Sequence, residues 1–193
     1  IKIWPYLKNV VKNLKWINLG GGHHITRSDY KLNKLTDFLK ELKSKTNCQI
    51  ILEPGEAVVF ESGVLVGEIL DYIQGDDNKI PNIGITDISP VCHMPDVIEA
   101  PYKPLLMNEP VKGKKVVLGG PSCLAGDVIG EYYFVKNPNI GDKVVFLDQA
   151  HYTLVKTNFF NGINHPEVVL WNSDNNDFKL IKSFDFKDFE TRN

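Results

Sequence analysis

Leu19-Gly20-Gly21-Gly22-His23-His24-Ile25-Thr26 follows an apolar run, Trp16-Ile17-Asn18-Leu19, and precedes a helical pattern beginning near Asp29. Three consecutive glycines between a strand and a helix leave backbone N–H groups bare, with no Cβ to block an approaching anion. The positive end of the following helix adds to the pull. The stretch reads as a phosphate cradle, set against the alternative of a flexible strand-to-helix turn.

Upstream of it, Leu7, Val10, Val11 and Leu14 recur at helical spacing behind Pro5, which predicts a short amphipathic helix. Downstream, Ser28 or Asp29 can cap a helix whose apolar stripe is Leu32, Leu35, Phe38, Leu39 and Leu42, and Asn47 closes it. Gln49-Ile50-Ile51-Leu52 reads as a second buried strand, like residues 16–19, and ends in Glu53-Pro54-Gly55-Glu56. Helix, strand, helix, strand is the alternation of a parallel α/β sheet or barrel, whose functional groups sit beyond the C-terminal strand ends. The glycine triplet and Glu53 both fall there.

After Glu56 the texture changes. Residues 58–60 and 64–73 are strand-like, and turn clusters at 74–78, 111–114 and 137–142 separate short strands at 115–118, 131–135 and 143–146. A last hairpin pairs 168–171 with 178–181. The expected organisation is a barrel portion over residues 1–60 and a mainly β domain over 61–193.

The chain has 193 residues, 42% of them hydrophobic and 24% charged, which suits a folded chain with a sizeable core rather than disorder. A net charge of −2 with both signs interspersed provides no basic stripe for nucleic acid. No apolar run approaches the roughly 20 residues of a membrane span. The three cysteines, Cys48, Cys92 and Cys123, lack CxxC spacing and fit a reducing cytoplasm better than a disulfide framework. His23-His24 and Cys92-His93 are neighbours in sequence, so their side chains diverge, and a zinc site is not expected.

Three positions have chemical promise. Glu53, fixed on a Pro-Gly turn, can pair with a cationic ring nitrogen or ammonium, or stand as a solvated carboxylate. Cys123, in Gly119-Gly120-Pro121-Ser122-Cys123-Leu124-Ala125-Gly126-Asp127, is presented on a glycine-dense loop as an acid or base, or packs as a small hydrophobe. Tyr152, in Ala150-His151-Tyr152-Thr153, can offer its hydroxyl to a phosphate, or pack. Residues 158–162, Asn-Phe-Phe-Asn-Gly, form an aromatic turn with the look of an interface.

Together with Val91-Cys92-His93-Met94-Pro95-Asp96, these motifs occur in the order found in one enzyme family. The chain resembles the C-terminal half of the carboxynorspermidine (carboxyspermidine) decarboxylases, relatives of the ornithine and diaminopimelate decarboxylases. The resemblance covers essentially all 193 residues. It implies the C-terminal part of an alanine-racemase-like (β/α)8 barrel followed by a β-barrel or sandwich domain. It also implies pyridoxal 5'-phosphate as cofactor. Gly20, Gly21 and Gly22 would cradle its phosphate with a hydrogen bond from Tyr152, Gly55 would be a further cofactor contact, and Glu53 would pair with the ring nitrogen. Cys123, donated across a homodimer interface in relatives, would protonate the carbon left after CO2 departs.

The substrate so implied is a carboxylated polyamine, cationic along its tail, with His24, Glu53, Asp87 and Asp127 as its contacts and Glu56 and Asp96 as further acidic candidates. Glu56 stands where ornithine-type relatives carry Arg, which shifts phosphate binding onto backbone N–H groups. None of the lysines matches the family's Schiff-base lysine, and the sequence opens at Ile1 without Met. A missing segment or companion chain is therefore expected to supply the first half of the barrel. The alternatives are a diaminopimelate or basic-amino-acid decarboxylase, or a decayed, non-catalytic half acting as an interaction protein.

Overall fold

The chain divides into two units, Ile1–Phe60 and Glu61–Asn193. The computed structural model describes residues 4–76 and 79–192, without the side chains of Trp4 and Leu7.

In the first unit the order is α1 (Trp4–Val11), β1 (Trp16–Asn18), α2 (Leu32–Thr46), β2 (Gln49–Ile51) and α3 (Gly55–Val59). β1 and β2 are parallel, with Trp16 opposite Gln49 and Asn18 opposite Ile51. Asn47 ends α2 in the left-handed conformation (φ 55°, ψ 11°), and its N–H returns to the Lys43 carbonyl. That is the stop its short polar side chain favours.

The predicted start of α2 does not hold. Neither Ser28 nor Asp29 caps it; it begins behind Lys31 without a side-chain cap. Asp29 instead accepts from Arg27 through both carboxylate oxygens, at 3.0 and 2.9 Å. The glycine triplet is thus separated from the helix by residues 23–31. Residues 58–60, expected as strand, belong to the end of α3 and its cap. Pro54 (φ −77°) leads into the first turn, where Glu56 faces the positive helix end.

Two strands and three helices bury little. Val11, Leu42, Cys48 and Ala57 form the core, with the Cys48 thiol 3.2 Å from the Leu14 carbonyl oxygen. The strands expected to be buried are largely open; Trp16 is 55% exposed. Of the predicted α1 stripe only Val11 is buried, while Leu7 lies outside the described side chains.

The second unit is built on a curled, mixed five-stranded sheet in the order β6-β5-β4-β3-β7. Its strands are β3 (Leu65–Ile73), β4 (Asn82–Thr86), β5 (Lys114–Gly119), β6 (Val128–Phe134) and β7 (Lys143–Phe146). Among the described residues of this sheet only the β4–β5 pair is parallel. Leu65, Ile69, Val116, Leu118, Tyr132 and Phe146 fill the core, and the Tyr132 hydroxyl donates to the Pro104 carbonyl at 2.8 Å. A separate hairpin, β8 (Val168–Asn172) with β9 (Asp177–Lys182), lies where the alternation placed it.

Among the described residues, four short α-helices interrupt what the sequence presents as all-β: α4 (Pro90–His93), α5 (Asp96–Glu99), α6 (Tyr152–Val155) and α7 (Phe186–Glu190). Helices of four or five residues are too short to show a period. β4 was hidden by Gly84, where a Cβ would lie 2.9 Å from the Leu118 side chain. The predicted turn at 74–78 runs into Asp77 and Asn78, which lie outside the described residues.

Candidate active site

Two parallel strands that end level leave their following loops side by side. Beyond β1 and β2, the Leu19 N–H donates to the Ile51 carbonyl at 3.0 Å, and the Glu53 N–H to the Gly20 carbonyl at 2.9 Å. Asn18 joins the two loops through its side chain. Its Oδ1 accepts the Gly20 N–H at 2.8 Å, and its Nδ2 donates to Glu53 Oε1 at 2.5 Å. One amide therefore fixes both the start of the glycine turn and the direction of the carboxylate, the second contact being charge-assisted.

The glycines are required here for distinct reasons. Gly20 (φ +71°) and Gly22 (φ +76°) are in the left-handed region, and a Cβ on either would meet nothing within 4 Å. A Cβ on Gly21 would lie 2.9 Å from the Glu53 carbonyl oxygen. The N–H groups of Gly21 and Gly22 have no hydrogen-bond partner among the described residues. Open space, free donors and no Cβ are what a phosphate needs, and a carboxylate held beside them suits a cationic ring.

Next to the cradle, His24 Nδ1 lies 3.8 Å from Glu56 Oε1, an ion pair when the imidazole is protonated. His23 Nδ1 sits 3.3 Å from the Tyr30 hydroxyl. Gly55 contributes through its backbone, its N–H donating to the Glu53 carbonyl at 2.8 Å.

In the second unit, Cys123 is an exposed free thiol on the loop after β5. Its N–H donates to Asn161 Oδ1 at 3.0 Å. Asp127, expected as a substrate contact, is only 4% exposed. Its Oδ1 accepts from the Ser89 hydroxyl (2.8 Å) and the Val91 N–H (3.1 Å), and its Oδ2 from the Ser122 N–H (3.0 Å). With every contact internal, Asp127 is the anchor of the Cys123 loop. Gly120 has no Cβ because one would collide with this carboxylate.

Asp87 is exposed just beyond β4, with Oδ1 accepting the Glu68 N–H at 2.8 Å. Asp96 is taken by Lys156 at 2.5 Å. Tyr152 opens α6, 53% exposed, with the Lys156 ammonium 5.1 Å from its ring centre. Sequence reasoning missed Asn18, Ser89 and Asn161. The only available signal was an Asn two residues ahead of the glycine triplet in the first case and an Asn-Gly turn in the last.

Cys92 and His93 are structural. The Cys92 thiol faces the Phe160 carbonyl at 3.3 Å. His93 Nδ1 accepts the Ser89 N–H at 3.1 Å, which assigns the proton to Nε2, 2.9 Å from the Asn164 carbonyl. Burial holds the His93 pKa below its ordinary value, and the Asn164 carbonyl and the carboxylates of Asp87 and Asp127 oppose this only in part. His165 is shifted in the same direction, also by burial.

The unfolded chain takes up these protons near pH 6.5, roughly the free imidazole value, whereas the folded chain does so only at lower pH. Stability is therefore full above about pH 6.5 and falls as pH drops below it. The urea midpoint should decline between pH 7.5 and 5.5, and His93→Gln should reduce that slope while lowering the midpoint at pH 7.5. Parallel profiles for the two proteins would show that His93 does not carry the effect.

The model of the pyridoxal-dependent decarboxylase C-terminal sheet domain matches residues 18–150. The carboxynorspermidine/carboxyspermidine decarboxylase of Campylobacter jejuni is 41% identical over 95% of this chain and 50% of its own length. The carboxyaminopropylagmatine decarboxylase of Synechocystis is 35% identical over 93% of this chain and 46% of its own. The crystal structure of C. jejuni carboxynorspermidine decarboxylase complexed with norspermidine matches with a TM-score of 0.85 and 39% identity, covering 99% of this chain and 55% of that one. AQ1208 from Aquifex aeolicus, at 22% identity and a TM-score of 0.73, shares the fold. The chain spans about half the length of the curated relatives it matches.

Proposed function

Because the chain belongs to the pyridoxal-dependent decarboxylase family, we propose that it forms the C-terminal half of an enzyme that decarboxylates carboxynorspermidine or carboxyspermidine to norspermidine or spermidine, in polyamine biosynthesis. The observation that carries this is the Asn18-held Glu53 carboxylate beside a glycine turn with open donors. Similarity to the C. jejuni enzyme supports the choice of substrate.

The residues present fit pyridoxal 5'-phosphate. Backbone N–H groups of Gly21 and Gly22 would bind its phosphate, assisted by the Tyr152 hydroxyl, and Glu53 would hold a proton on its ring nitrogen. Bound so, the cofactor supplies an electron sink for the pair released when CO2 leaves. Cys123 supplies the proton to the carbon that lost CO2. His24 with Glu56, and the exposed Asp87, provide the polar and acidic groups that an aminopropyl chain of ammonium charges requires.

The working assembly includes the other half of the barrel, with the Schiff-base lysine, and is a homodimer that shares its active sites. Residence in the cytoplasm accords with three free thiols, and no helix among the described residues is long and apolar enough to cross a membrane.

The test is turnover by the full-length protein loaded with pyridoxal 5'-phosphate. Carboxynorspermidine and carboxyspermidine should be decarboxylated with kcat/KM at least tenfold above meso-diaminopimelate, ornithine or carboxyaminopropylagmatine. Preference for one of the latter would reassign the substrate. Failure to bind the cofactor would favour a non-catalytic interaction protein.

A further inference from the structure

We propose that Asn161 is a positioning residue for Cys123, setting the thiol's direction from a turn remote in sequence. Three consecutive N–H groups in the Cys123 loop are bonded to side chains. The Ser122 N–H goes to Asp127 (3.0 Å) and the Leu124 N–H to the Ser122 hydroxyl (3.3 Å), both within the loop. The Cys123 N–H alone of these reaches outside it, 38 residues on, to Asn161 Oδ1 at 3.0 Å.

The turn that presents Asn161 is itself built. Asn158 Nδ2 donates to the Val91 carbonyl at 2.7 Å, the Asn158 N–H to the Cys92 carbonyl at 3.0 Å, and the Asn158 Oδ1 accepts the Phe160 N–H at 3.0 Å. Asn161 then adopts a left-handed conformation (φ 57°, ψ 15°), as does Gly162 (φ 69°). Asn tolerates that backbone better than other side-chain-bearing residues, and its amide oxygen supplies the acceptor. α4 serves both ends of the arrangement. Val91 donates to Asp127 from its N–H and receives Asn158 on its carbonyl, so one short helix locks the thiol loop and the Asn turn together.

The tie holds the Cys123 amide nitrogen, bonded directly to the Cα that bears the side chain, so its loss frees the thiol's direction without removing the thiol. This role rests on the function proposed above. There the C–CO2 bond breaks with its electron pair left on carbon, the S–H proton bonds to that carbon, and the thiolate regains a proton from solvent. Asn161 touches none of these atoms; it acts through Cys123.

The experiment compares Asn161→Gly, which keeps the left-handed backbone and deletes the acceptor, with Asn161→Asp, which keeps both. In the full-length holoenzyme, amide exchange in a peptide containing Cys123 should accelerate at least tenfold in Asn161→Gly and stay near wild type in Asn161→Asp. On carboxynorspermidine, kcat should fall about tenfold in Asn161→Gly with KM within twofold and cofactor occupancy unchanged, and Asn161→Asp should restore it. Unchanged exchange overturns the tie. Faster exchange with wild-type kcat, or kcat lost together with cofactor, overturns the positioning role. A wild-type enzyme inactive on carboxynorspermidine, its Cys123 amide still protected, overturns the function and the role that rests on it while leaving the tie standing.

Discussion

Glu53→Gln is expected to lower turnover of carboxynorspermidine by about a thousandfold while leaving most of the phosphate cradle in place. The substitution exchanges one carboxylate oxygen for an amide and changes little else. Gln can still accept from Asn18 Nδ2 at the position where Glu53 Oε1 does now, so the side chain keeps its direction. The backbone ties, Glu53 N–H to Gly20 and Gly55 N–H to Glu53, do not involve the side chain. What is lost is a fixed negative charge, which the proposed function sets opposite the ring nitrogen. Losing one preorganised electrostatic partner costs on the order of a hundred- to a thousandfold in rate, and the ring's capacity as an electron sink depends on that charge throughout. The measurement is kcat with cofactor occupancy determined in parallel on the dialysed holoenzyme. A kcat within threefold of wild type, with the cofactor retained, would remove Glu53 from the chemistry.

The parts of this arrangement visible in the sequence are those that depend on backbone. Glycine at residues 20–22 and Pro-Gly after Glu53 mark strand ends, because few other residues make such turns. The parallel pairing of β1 with β2 then places both on one edge. β3 and β5 to β9 were legible by alternation. Roles that depend on which side chain meets which were not. The resemblance offers Asp127 as a substrate contact, while in the fold its carboxylate is held by Ser122 of its own loop and by Ser89 and Val91, more than 35 residues away in the chain. Asn18 is one residue of an apolar run in the sequence, yet it is the group that aims Glu53. The three-residue strands of the first unit look buried from composition, but exposure depends on what neighbours cover them, and composition does not carry that information. Short helices such as α4 are set by caps, here Ser89 accepting the Cys92 N–H at 3.3 Å, and caps are visible only once their helix is known.

Cys123→Ala should reduce correct product formation by about a hundredfold or more, the lower range for loss of a positioned general acid, and should do so with little cost to folding or cofactor binding. The structure separates the thiol from its support unusually well. Among the described residues the Cys123 Sγ makes no hydrogen bond; only its N–H is used, by Asn161, and Ala retains that N–H. Asp127 holds the loop through Ser122 and α4 without the sulfur. An exposed side chain outside the packed core should change stability by no more than about 0.5 kcal/mol. The buried Cys48, 1% exposed and packed against α1, provides the contrast, because truncation there removes packing rather than a reactive group. The informative readout is the fate of the carbon that lost CO2. On the proposed function the variant lacks the proton donor, so that carbon should be protonated more slowly, and a larger share of turnovers should end in cofactor inactivation instead of the polyamine. Loss of cofactor in proportion to loss of activity would instead identify Cys123 as a structural residue of the loop.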